Sequence, residues 1–161
     1  MNIQRILFPT DFSEYNSAAL RYASSLASEA GAKLYIVHVD ERTELAAAMG
    51  GYPYATPWET EEQQKVRDRL TRLVPTVAGV AFEHRYLEGS PVAQLLRFAE
   101  RENIDLIVMG SHGRTGLARL VMGSIAEGVM RQAKCPVLVV KQPASESEHV
   151  ERGLSSALES G

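Results

Sequence analysis

The chain of 161 residues carries 17 Lys plus Arg against 20 Asp plus Glu, one cysteine and 45% apolar residues. That length suits one ordinary domain whose core needs no disulfide or metal staple, and the composition is too apolar for wholesale disorder. A net charge of −3, a lone Cys135 and no run near the ~20 apolar residues of a membrane span exclude several classes. The expectation is a cytoplasmic protein with no nucleic-acid partner and no membrane insertion. The first eleven residues turn acidic too soon for a signal peptide.

Along the chain, short apolar runs rich in β-branched residues fall at 3–8, 33–39, 80–87, 104–109 and 136–140, with helical periodicity between them. Strands alternating with helices predict a parallel sheet, because parallel neighbours need crossover connections. Runs such as Leu106-Ile107-Val108-Met109 lack polar alternation, as strands covered on both faces do. Ser13 is placed to cap a first helix with Ala19, Tyr22, Ala23, Leu26 and Ala30 inward and Gly31 as its stop. A charged helix is expected over 58–73, with Val66, Leu70 and Leu73 inside. Ser90-Pro91 reads as N-cap and first residue of a helix burying Val92, Leu95, Leu96 and Ala99. Ser124-Ile125-Ala126-Glu127 has capping-box spacing and predicts a last helix with Ile125, Val129, Met130 and Ala133 inward, ended by Cys135-Pro136. Two regions break the rhythm. Residues 45–57, with Gly50-Gly51, Pro53, Pro57, Tyr52 and Tyr54, read as a long connection with Trp58 at its edge. Residues 142–161 read as a Ser- and Glu-rich tail beyond a domain of 1–141.

Five of the 12 glycines, Gly110, Gly113, Gly116, Gly123 and Gly128, lie within 19 residues. The first closes a core strand, and Gly123 precedes a helix start. Glycine lets the backbone approach an anion and present its N–H groups, and a helix N-terminus adds partial positive charge. Arg114 and Arg119 are the only charged side chains between Leu106 and Ala126. There is no Gly-Lys-Ser/Thr and no dinucleotide GxGxxG after the first strand. Taken alone, the segment is as consistent with tight turns as with phosphate binding.

Gly110, two residues, Gly113, nine residues and Gly123-Ser124 resemble the G-x2-G-x9-G-S/T pattern of the ATP-binding branch of the universal stress proteins. Ile6-Leu7-Phe8-Pro9-Thr10-Asp11-Phe12-Ser13 is similar to that family's opening strand and loop. Val37-His38-Val39 resembles its second strand, and Cys135-Pro136-Val137-Leu138-Val139-Val140 its last. The resemblance spans about residues 2–141. It implies an open five-stranded α/β sheet, Rossmann-like, of order 3-2-1-4-5 with helices on both faces. It also implies a site for ATP, ADP or AMP, accompanied by Mg2+ or Mn2+. Residue by residue, Pro9 and Thr10 would line the adenine pocket, Asp11 would meet the ribose, and the Val39 backbone would read the adenine edge. Met109 and Gly110 would flank base and ribose. His112, Gly113, Arg114, Gly123, Ser124 and Ile125 would hold phosphates, largely through backbone N–H groups. It further implies a homodimer paired through the last strand, and a stress-response or signalling role with an unidentified protein partner.

Plainer readings stand beside these. Asp11 also suits a helix N-terminus, Ser124 a cap, and His112 and Arg114 a solvated loop. Cys135 is expected to be packed and inert, and His38 to be a satisfied strand histidine. No protein metal site and no catalytic residue is expected, since no metal-ligand spacing links the four histidines and no general base flanks the phosphate loop. A slow ATPase or self-phosphorylating protein, and a nucleotide-free adaptor, are the alternatives to a nucleotide-binding module.

Overall fold

Five parallel strands form one sheet in the order β3-β2-β1-β4-β5, as expected. The computed structural model describes residues 2–41, 61–111 and 122–141. Within them run β1 (Arg5–Pro9), a 3-10 turn (Glu14–Asn16), α1 (Ser17–Ala30), β2 (Lys33–Asp40) and α2 (Glu61–Arg72). β3 (Phe82–Glu88), α3 (Pro91–Arg101), β4 (Leu106–Gly110), α4 (Ser124–Gln132) and β5 (Val137–Val140) follow. The expected aromatic connection 45–57 with Trp58, and the tail 142–161, lie outside the described residues.

Two apolar layers sandwich the sheet. On one face α1 and α2 cover Ile6, Phe8, Leu34, Ile36 and Val108; on the other α3 and α4 cover Leu7, Val37, Ile107 and Met109. Alternate residues of β1 thus feed opposite layers, which is why its sequence shows no polar alternation. Strand ends are pinned by polar contacts. Asp105 accepts from the Gln4 and Arg5 backbone N–H groups at 2.8 and 2.9 Å, tying the start of β1 to the turn before β4.

Helix boundaries follow local chemistry, with corrections to the expected caps and faces. Gly31 closes α1 at φ 63, the left-handed position that glycine takes without a Cβ penalty, and Ser90 and Pro91 start α3 as expected. However, Ser13 does not cap α1 directly: the 3-10 turn intervenes and Asn16 occupies the cap position. Tyr22 (57% exposed) and Ala30 face outward, while Ala18, Leu20 and Ala27 share the buried face with Ala19 and Ala23. Four alanines on that face let α1 lie close to the sheet, where a tyrosine would not fit. At α4 the cap is Gly123, with Ser124 the first helical residue. Glu127 therefore pairs with Arg131 one turn on instead of reaching back to a cap. Ile125 and Met130, expected inward, are 37% and 48% exposed; Ala126 and Val129 make the buried contact instead. The helix ends at Gln132, before Cys135-Pro136.

Candidate functional site

In an open parallel sheet, chain reversal between neighbouring strands leaves a crevice at their carboxyl ends. Here that point lies between β1, which pairs with β2 on one side and β4 on the other, and β4 itself. The fold brings Pro9, Thr10, Asp11, Val39, Met109, Gly110, Gly123, Ser124 and Ile125 to this carboxyl edge. His112, Gly113 and Arg114 lie outside the described residues.

Pro9 is the last residue of β1, in register with Val37. Thr10 is buried, and its N–H donates to the Val37 carbonyl at 2.8 Å, extending the ladder one step. Its Oγ1 accepts from the Phe12 N–H at 3.0 Å, and its carbonyl oxygen lies 2.8 Å from Nδ1 of buried His38. A carbonyl only accepts, so His38 carries its proton on Nδ1 here. Asp11 is half-buried; its Oδ1 accepts from the Ser13 N–H at 2.9 Å and from Asn16 Nδ2. The carboxylate therefore supports the 3-10 turn, where an acid is favoured by unsatisfied N–H groups. This structural use leaves a polar, anionic group at the end of β1.

Opposite it, Gly110 ends β4 beside Val140 of β5, and the Ser111 N–H donates to the Val140 carbonyl at 3.0 Å. The Gly123 N–H returns to the Ser111 carbonyl at 2.8 Å, so the chain leaving β4 and the chain entering α4 are fastened together. Gly123 has the extended conformation of an N-cap (φ −60, ψ 147) and no side chain to occupy the first N–H groups of α4. Ser124 is exposed beside it. An anion there would meet backbone donors and the positive end of the helix dipole.

The carboxyl-edge set is distinct from the cleft beside it. A cleft of about 400 Å3 lies between α1 and α2, against Phe8, Phe12, Leu20, Arg69 and Leu73. It shares Thr10 with the carboxyl-edge set, whereas Val39 and Met109 belong to the opposite layer. Three contributors were missed from sequence: Asn16, Phe12 and the His38–Thr10 contact. Asp11-x-Ser13 is a legible signal for the turn, since Asp side chains commonly bond the backbone two residues on. The Asn16 partner, five residues away across the 3-10 turn, has no such signature.

Comparison with known proteins gives a consistent result. The model of the "Universal stress protein family" matches residues 2–141. The chain is 36% identical over 149 residues to the universal stress protein MJ0531 of Methanocaldococcus jannaschii, covering 89% of this chain and 85% of that protein. The solved structure of MJ0577, a universal stress protein of the same organism, superposes with TM-score 0.73 at 27% identity, covering 90% and 100% of the two chains. A universal stress protein crystallised in complex with cAMP superposes with TM-score 0.60 at 26% identity, covering 89% and 100%.

Proposed function

Because this chain belongs to the universal stress protein family, we propose that it binds an adenine nucleotide at the carboxyl edge of its sheet. The observation that carries the reading is the convergence there of Asp11 with the start of α4, where the Gly123 cap has no side chain to occupy the first N–H groups. A carboxylate suits ribose hydroxyls, which donate, and helix N–H groups suit phosphate oxygens, which accept. The cAMP complex of a relative of the same fold supports the choice of an adenine nucleotide.

Pro9, Thr10 and the Val39 backbone border the base, Met109 and Gly110 separate base from ribose, and Gly123, Ser124 and Ile125 receive phosphates. His112, Gly113 and Arg114 complete that set. Among the described residues no group of three or more His, Cys, Asp or Glu is arranged to hold a metal ion. Mg2+ or Mn2+ would therefore come with the triphosphate, in keeping with the preference of such hard cations for phosphate oxygens. The chain acts as a cytoplasmic binding module. Its nucleotide state favours one conformation or partner surface through unequal affinity for two states.

Calorimetric titration of the full chain with ATP and Mg2+ tests this. Saturable binding is expected, weakened about tenfold or more in Asp11→Ala, the cost of losing a charge-assisted contact of about 1.5–3 kcal/mol. Binding unchanged in Asp11→Ala would displace the ribose from this residue. No binding would refute the reading.

A further inference from the structure

Phe12 has the left-handed backbone conformation, φ 64. Among the described residues the only other non-glycine with positive φ is Asn103, a residue type that tolerates that region; a bulky aromatic does not. Strain of this kind persists only where the surroundings over-determine it.

The surroundings here are specific. The Phe12 N–H is fixed to Thr10 Oγ1 at 3.0 Å, and the next N–H, on Ser13, to Asp11 Oδ1 at 2.9 Å. These interlocked turns require the chain to reverse at Phe12. The ring centroid lies 4.5 Å from that of His38, tilted by 34°, and His38 itself contacts the Thr10 carbonyl. The Arg69 guanidinium of α2 stands 4.7 Å from the same ring. The 400 Å3 cleft runs beside the turn against Phe12, Ser13 and Asn16, so a turn without the ring has room to relax.

We propose that Phe12 is a positioning residue for Asp11, its ring wedged between His38 and Arg69 to hold the strained turn that aims the carboxylate at the ligand. The inference rests on the nucleotide reading above and adds that affinity at the ribose is set from the α1–α2 face of the sheet. Phe12 touches no ligand in this account.

The test compares ATP with 2′,3′-dideoxy-ATP, both with Mg2+, on the wild-type chain, Phe12→Ala, Asp11→Ala and the double variant. The wild type is expected to prefer the ribose hydroxyls. Phe12→Ala should weaken ATP about tenfold, a fold-change matching the strain held by such a residue, and leave the dideoxy compound within about twofold. In the Asp11→Ala background, Phe12→Ala should then have no further effect on ATP. If Phe12→Ala does not fold, Phe12→Gly replaces it, since glycine accepts the backbone conformation while removing the ring. A loss of hydroxyl preference in the same direction but smaller is expected, since glycine holds φ 64 without strain. Equal loss for both ligands, or additive losses in the double variant, would make the role merely structural and overturn the inference. So would ATP affinity unchanged in Phe12→Ala while the wild type binds. A wild type that binds neither compound would instead refute the nucleotide reading, and this inference with it.

Discussion

Cys135 stands half-buried just before β5, packed against the α3–α4 layer. Burial pushes its thiol up from the ordinary value, and the nearby Asp105 charge acts in the same direction. Thiolate is the reactive form, so its fraction at pH 8 falls as the pKa rises. Alkylation by iodoacetamide at pH 8 should therefore run several-fold slower in the native chain than in urea, the native rate still climbing at higher pH. Equal rates would contradict the packing. That Cys135 would be packed was legible from its place beside Pro136. Asp11 was legible only in part. The family resemblance of its opening strand and loop marked it, but the Asn16 partner and the left-handed Phe12 depend on a turn fixed by tertiary contacts with His38 and Arg69.

Among the elements, the central strands β1, β2 and β4 were legible because burial on both faces removes alternation, and α1 and α3 because Gly31 and Ser90-Pro91 punctuate them. Helix faces were less so. Periodicity assigns an apolar stripe but not which apolar residues a neighbour can accommodate, hence the misplacing of Tyr22. The α3–α4 contact shows how tight that limit is. A Cβ on Gly128 would sit 2.9 and 3.3 Å from the two methyls of Val92. Valine in a helix has little rotamer freedom to retreat. Alanine's helix propensity returns at most about 1 kcal/mol, against about 1–3 for overpacking. Gly128→Ala should thus destabilise the fold by about 1 kcal/mol in a denaturant titration. A more stable variant would mean that Val92 yields freely.

For the whole molecule, the −3 charge belongs to residues 142–161. Residues 142–161 hold Glu146, Glu148, Glu151 and Glu159 against Arg152, leaving sixteen acids and sixteen bases in 1–141. The two sheet edges also differ. β3 carries Glu83, Arg85 and Glu88, with Lys33 and Arg85 paired to Glu83 at 2.7 and 2.6 Å. β5 is Val-Leu-Val-Val, with Leu138 37% exposed. Charged edges resist pairing with another chain, and bare apolar ones invite it. The exposed Ile125 and Met130 of α4 are the residues that periodicity had turned inward. The apolar β5 edge fits the homodimer that the family resemblance implies, in which each copy would pair through Val137–Val140 with its mate across a twofold axis. Sedimentation at micromolar concentration should give a dimer, and Leu138→Lys should shift it to monomer. A wild-type monomer would dismiss the interface. Nucleotide binding is the central claim, and the melting temperature of the full chain with and without millimolar ATP and Mg2+ tests it most directly. For ligand at about 100 times its Kd, linkage gives about 2.7 kcal/mol, and a chain of this size should melt about 5–10 °C higher. An unshifted melting temperature across the millimolar range would contradict the account.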